Sequence, residues 1–108
     1  MAAAGPAKEG NWEGMAKILL AEDDDSLRLF LAKALQRAGH DVVDKADGLT
    51  AMEAVENGEF DLLLADIVMP GMDGIELARR ATEKMPAMRV MFITGFAAVA
   101  LHARRAGA

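Results

Sequence analysis

Four short apolar runs alternate along this chain with segments whose apolar residues recur at helical spacing. Ile18, Leu19, Leu20 and Ala21 form the first run, the mark of a strand covered on both faces, and it stops at four successive acids, Glu22, Asp23, Asp24 and Asp25. Leu27, Phe30, Leu31, Ala34, Leu35 and Ala38 then fall at offsets 0, 3, 4, 7, 8 and 11, one face of a helix. Asp24, Asp25 or Ser26 supplies its N-cap, and Gly39 ends it. Val42 and Val43 mark a brief second strand, after which Asp47 and Gly48 lead into a helix through Ala51, Met52 and Val55 to Gly58. Residues 60–65 read as a third strand, apolar apart from Asp61, ending at Asp66. Asp73 and Glu76 have capping-box spacing and open a helix expected to bury Ile75, Ala78, Ala81 and Met85, stopped by Pro86. Residues 90–93 read as a fourth strand ending at Thr94 and Gly95, followed by an Ala-rich helix over residues 97–106.

Strands alternating with amphipathic helices imply right-handed crossovers, and so an α/β fold: a doubly wound parallel sheet with helices on both faces. The working surface of such a sheet lies at the carboxyl ends of its strands, near the point where strand order reverses. Strand one delivers Glu22 and Asp23 there, strand three Asp66, and strand four Thr94. Carboxylates crowded together by neighbouring strands repel one another strongly enough to require a counter-ion. A hard divalent cation with oxygen ligands meets that need, and Mg²⁺ fits best because it keeps waters and phosphate oxygens beside its few carboxylates. Capping of a helix by solvated acids accounts for Asp24 and Asp25. It does not account for Asp66, which ends an apolar strand and opens a loop.

Residues 1–14, rich in Ala and Gly and containing Pro6, follow neither period and are expected to form a flexible extension ahead of one domain at 15–108. Composition agrees, since 53% apolar against 27% charged residues in a chain of 108 supply the core of a single domain. Seventeen acids against twelve bases give a formal charge of −5, which argues against nucleic-acid or anionic-membrane binding. The lack of cysteine excludes disulfides and thiolate metal sites. The longest uncharged run, residues 90–103, has 14 residues, fewer than the roughly 18 of a membrane span. The first residues lack the basic-then-apolar order of a signal peptide, so a soluble cytoplasmic protein is expected.

Three segments, ILLAEDD at 18–24, DLLLADIVMPGMDG at 61–74 and VMFITG at 90–95, carry a family resemblance. From about Ala16 to Ala108 the chain resembles the receiver domain of two-component response regulators. The resemblance implies a flavodoxin-like (CheY-like) sheet of order 2-1-3-4-5. It also implies a signalling domain, not an enzyme, whose aspartate takes a phosphoryl group from a histidine kinase or histidine phosphotransferase. Residue by residue, Asp66 matches the phosphoacceptor and Glu22 and Asp23 match the acidic pair. Val68 matches the position whose backbone carbonyl completes the Mg²⁺ site, and Thr94 the hydroxyl that bonds the attached phosphoryl group. The chemistry agrees, because a carboxylate oxygen attacks phosphorus in line while Mg²⁺ offsets charge on the transferring oxygens. Pro70, Gly71 and Gly74 suit a tight loop that holds the acceptor. Residues 65–74 and 92–101 are further similar to stand-alone receivers linked to regulated proteolysis, which implies ATP-dependent protease machinery as the downstream partner.

After Thr94 the chain departs from the family. Receivers have five strands and five helices, with a lysine ending strand five, and here strand five and helix five are missing. The lysines are Lys8, Lys17, Lys33, Lys45 and Lys84. Lys17 begins strand one, at the wrong end of the sheet, and none of the others is expected at a strand's carboxyl end. The expectation is a C-terminally truncated receiver whose fourth strand is an exposed apolar edge, open to dimerisation. Two alternatives stay open. One is a degenerate receiver that binds partners without phosphorylation, and the other an aspartyl-phosphate phosphatase, which needs a second Asp where Val68 stands. A flavin or nucleotide binder needs a Gly- or Ser/Thr-rich phosphate loop after strand one, where four acids stand instead. His40 and His102 have no second ligand at metal spacing, and Met69 and Met72 read as gap-fillers or partner contacts.

Overall fold

The computed structural model describes residues 14–93. Residues 1–13, Thr94, His102 and the helix expected over 97–106 lie outside the described residues. The elements are β1 (Lys17–Ala21), α1 (Asp25–Arg37), β2 (Asp41–Lys45), α2 (Gly48–Asn57), β3 (Leu62–Asp66), α3 (Gly74–Lys84) and β4 (Arg89–Ile93), in the alternation that the apolar pattern predicts. All pairings are parallel, in the order β2-β1-β3-β4. The chain steps from β1 to β2 on one side and to β3 on the other, so the order reverses at the carboxyl ends of β1 and β3.

Register assigns side chains to faces. Leu19 pairs with Leu63 and Leu63 with Val90, so all three share one side of the sheet. There Leu19, Ala21, Leu63 and Ala65 form one core with residues of α2 and α3. α1 packs across β1 and β2 on the other side, where Ile18 and Leu20 are buried. Cover on that side falls off along the row Leu20, Leu64, Met91: Leu20 is buried, Leu64 half-buried and Met91 57% exposed. The apolar exposure expected on the fourth strand is present at Met91 on this side and at Phe92 on the other, while Val90 and Ile93 are half-buried.

Two helices are rotated from the faces expected of them. In α3 the buried residues are Gly74, Leu77, Ala78 and Ala81, whereas Ile75, expected inside, is 57% exposed. Gly74 sets the phase: it lies against the Asp66 carbonyl, and Leu77, Ala78 and Ala81 follow it at helical spacing. In α1 the stripe turned toward the protein runs through Arg28, Leu31, Ala32 and Leu35, while Phe30, expected inside, is 67% exposed and Ala34 and Ala38 are exposed. Helix ends match their sequence signals. Asp24, Asp47 and Asp73 are N-caps, and α1 closes with Gly39 at φ 100°, where His40 N–H bonds Leu35 O and Gly39 N–H bonds Gln36 O.

β2 runs to Lys45, so this lysine does end a strand at its carboxyl side, contrary to expectation. Its carbonyl continues the ladder by accepting Glu22 N–H at 3.1 Å. Lys17 stands at the opposite end as expected, and its ammonium lies 5.3 Å from the Phe60 ring centroid. His40 is structural: its Nδ1 accepts the Ala16 N–H at 3.0 Å.

Candidate functional site

The four acids after β1 divide between a pocket and the start of α1. Glu22 is 1% exposed, and its Oε2 accepts the Asp24 N–H at 2.9 Å. Asp23 is exposed and faces the same pocket as Glu22. Asp24 caps α1 by accepting Leu27 N–H at 2.9 Å, and Asp25 bonds Arg28 at 2.7 Å. Capping thus accounts for Asp24, as read from the sequence, while Asp25 pairs with Arg28 instead of capping, and Glu22 and Asp23 are left for the pocket.

Asp66 ends β3 beside them. It is 8% exposed, and its Oδ1 accepts the Val68 N–H at 3.3 Å. In register it pairs with Ile93, the residue before Thr94. The loop that follows is held by close backbone contacts. Gly74 N–H bonds Ile67 O at 3.0 Å, and a Cβ on Gly74 would overlap the Asp66 carbonyl. Gly71 takes φ 75°, which favours glycine. A Cβ on Gly48, at the start of α2, would stand 2.5 Å from the Met72 carbonyl oxygen, so α2 abuts the same loop. The sequence pointed to Gly71 and Gly74 through turn composition but marked Gly48 only as a helix lead-in, because its contact with Met72 is remote in the chain.

Carboxylate oxygens of Glu22, Asp23 and Asp66 lie within 4.8 Å of one another. Burial pushes the Glu22 carboxyl up to about 7, against the opposing Asp24 N–H, with the nearby Asp66 charge adding to the rise. Burial likewise raises Asp66, opposed by the Val68 N–H and reinforced by Asp23. One atom stands out: Glu22 Oε1 is buried with no hydrogen-bond partner. Unsatisfied buried oxygens are costly, and a cation shared by the three acids would satisfy this one. The donors are all oxygen, which suits a hard ion such as Mg²⁺ and does not suit a soft one. Among the described residues no basic side chain is bonded to the three carboxylates.

Arg28 is a residue that the sequence pattern did not single out. Its side chain is 18% exposed and donates from one nitrogen to the Glu22 carbonyl at 2.9 Å. Its only sequence signal is a charged residue followed by Leu31, Ala32 and Leu35 at helical spacing on the inner stripe.

Comparison with known proteins places these features. The family model for the response regulator receiver domain matches residues 18–108. The response regulator receiver protein CpdR of Brucella abortus is 60% identical over 88 residues, covering 82% of this chain and 73% of that protein. Among solved structures, the chemotaxis protein CheY4 of Vibrio cholerae superposes with a TM-score of 0.69 at 30% identity, covering 73% of this chain and 68% of that one. The response regulator TrrA of Thermotoga maritima, solved in complex with Mg²⁺ and BeF, gives 0.67 at 29% identity over 70% of this chain and 66% of its own. Among the described residues, no helix is long and apolar enough to cross a membrane.

Proposed function

The chain belongs to the response regulator receiver domains of two-component systems, and from that premise we propose that Asp66 accepts a phosphoryl group from a phosphohistidine donor, with Mg²⁺ held by Glu22, Asp23 and Asp66. The observation that carries this reading is the buried, unpartnered Glu22 Oε1 beside a strand-end aspartate, with three carboxylates inside 4.8 Å. Three negative charges around a nucleophile would repel an incoming phosphoryl group, so the arrangement makes sense only with a cation between them. The solved complex of TrrA with Mg²⁺ and BeF supports the same reading.

In the transfer, an Asp66 carboxylate oxygen attacks the phosphorus as its bond to the donor imidazole nitrogen breaks. The bonding pair leaves with the imidazole, and the product is an acyl phosphate. Bound Mg²⁺ supplies charge compensation for the phosphoryl oxygens. The chain's own residues position the acceptor: Gly74 and the Val68 N–H fix Asp66, and the turn after β1 fixes Glu22. The Val68 carbonyl completes the ion's ligands and the Thr94 hydroxyl bonds the phosphoryl group, as the sequence resemblance implies. A histidine kinase or histidine phosphotransferase stands upstream. The signal leaves through protein contacts, with the protease machinery implied by the sequence resemblance downstream.

Incubation with acetyl phosphate and Mg²⁺, read by intact mass, tests the proposal. The expected result is a gain of one phosphoryl group that disappears in Asp66→Ala. No gain under conditions that label another receiver overturns it in favour of an interaction module that works without phosphorylation.

A further inference from the structure

We propose that Arg28 is a positioning residue for the acidic pocket: its guanidinium anchors the Glu22 carbonyl and thereby aims the Glu22 carboxylate at Asp66, raising the affinity for Mg²⁺. The inference rests on the reading of the pocket as a Mg²⁺ site.

Glu22 is the first residue past β1, so its N–H still reaches the ladder, at Lys45 O, while its carbonyl has no strand partner. Arg28 provides that partner at 2.9 Å from one nitrogen. A second nitrogen bonds Asp25 Oδ1 at 2.7 Å, and Nε lies 3.3 Å from Asp44 Oδ2 on β2. The forked, planar group therefore joins the turn, α1 and β2 at one point, which a lysine's single ammonium cannot reproduce.

The bonds around the turn close on one another. Glu22 Oε2 takes the Asp24 N–H, Asp24 Oδ1 takes the Leu27 N–H, and Arg28 takes the Glu22 carbonyl. Every polar atom of Glu22 is engaged except Oε1, the atom left for the pocket. The two ion pairs are of lesser weight, because Asp25 and Asp44 are 87% and 48% exposed at their side chains and water screens them. The bond to the Glu22 carbonyl is what ties Arg28 to the site.

Charge alone predicts the opposite effect. A guanidinium near a cation site repels the ion, and removing it also frees the carboxylates of Asp25 and Asp44. A pure charge effect makes Arg28→Gln bind Mg²⁺ more tightly and leaves Arg28→Lys unchanged. Positioning makes both bind more weakly.

The test is a Mg²⁺ titration of the full chain followed by backbone amide NMR shifts, for the unsubstituted protein, Arg28→Lys, Arg28→Gln and Asp44→Asn. Thermal melts in EDTA report which variants are folded. We expect both Arg28 variants to lose about tenfold in affinity, the lower end for groups that orient a metal ligand, with Asp44→Asn losing far less. Equal or tighter binding in a folded Arg28→Lys overturns the inference, as does a loss in Asp44→Asn as large as that in Arg28→Lys. No Mg²⁺ binding by the unsubstituted chain overturns the reading of the pocket, and the inference with it.

Discussion

Gly74 stands so close to the carbonyl oxygen of Asp66 that no residue with a side chain fits there without moving the backbone. The contact joins the first turn of α3 to the last residue of β3, so the helix that follows the loop also seats the acceptor. Gly→Ala inside a helix ordinarily stabilises by about 0.5–1 kcal/mol. Here the new methyl meets the backbone where Asp66 joins Ile67. Gly74→Ala is therefore expected to destabilise by about 1–3 kcal/mol and to slow labelling of Asp66 by acetyl phosphate. Urea unfolding and intact mass measure the two effects, and a variant more stable than the parent removes the claim.

The same contact explains why Leu77 matters and Ile75 does not. Both are large and apolar, and the capping-box reading favoured Ile75, but with Gly74 facing Asp66 the next inward position is Leu77. Leu77→Ala is expected to cost about 2–5 kcal/mol through the cavity it leaves. Ile75→Ala is expected to stay within about 0.5 kcal/mol. Chemical denaturation of the pair decides it, and comparable losses would mean that α3 is phased otherwise.

The acids of the site were legible in the sequence because the signal is local: an apolar run, a carboxylate where it ends, a loop after it. Glu22, Asp23 and Asp66 needed only the rule that parallel strands present their carboxyl ends together. Helix phase was not legible at Phe30 and Ile75, because apolar spacing leaves the buried face uncertain by a residue either way. What fixes it is backbone contact with the strand end just before each helix, Gly74 on Asp66 and Arg28 on Glu22, which apolar spacing does not record. Lys45 escaped for a related reason. Two valines marked β2, but pairing of its last residue with Ala21 extends the strand through polar positions that no alternation announces.

On the outer side of α3, Glu76 lies 2.6 Å from both Arg79 and Arg80. Hydrogen bonds from these arginines hold its carboxyl down to about 2 from an ordinary 4.5. A lowered carboxyl favours the folded state above the ordinary value, and the benefit is lost as pH falls from about 4.5 through about 2. NMR of side-chain carboxyl carbons should give Glu76 a midpoint well below those of the other exposed glutamates. Added salt should raise it, since the pairs are exposed and screened. A midpoint in the ordinary range, or one insensitive to salt, shows that the arginines do not hold it in solution.

Glu22→Gln separates what the buried carboxylate does for stability from what it does for the ion. In the metal-free chain the charge at Glu22 is a cost: the residue is buried, Oε1 has no donor, and Asp66 adds repulsion. Glutamine keeps an oxygen to accept the Asp24 N–H and puts an amide in place of the unpartnered Oε1, as a donor beside two acidic neighbours instead of a third charge. Above neutral pH in EDTA, Glu22→Gln is therefore expected to be more stable than the parent by about 1–3 kcal/mol. With Mg²⁺ present the order should reverse, because the parent gains binding energy that the amide cannot match. Melting curves with and without Mg²⁺ measure both halves. A Gln variant that is less stable in EDTA shows that the carboxylate's present bonds outweigh its burial, and one stabilised by Mg²⁺ as much as the parent shows that Glu22 does not hold the ion.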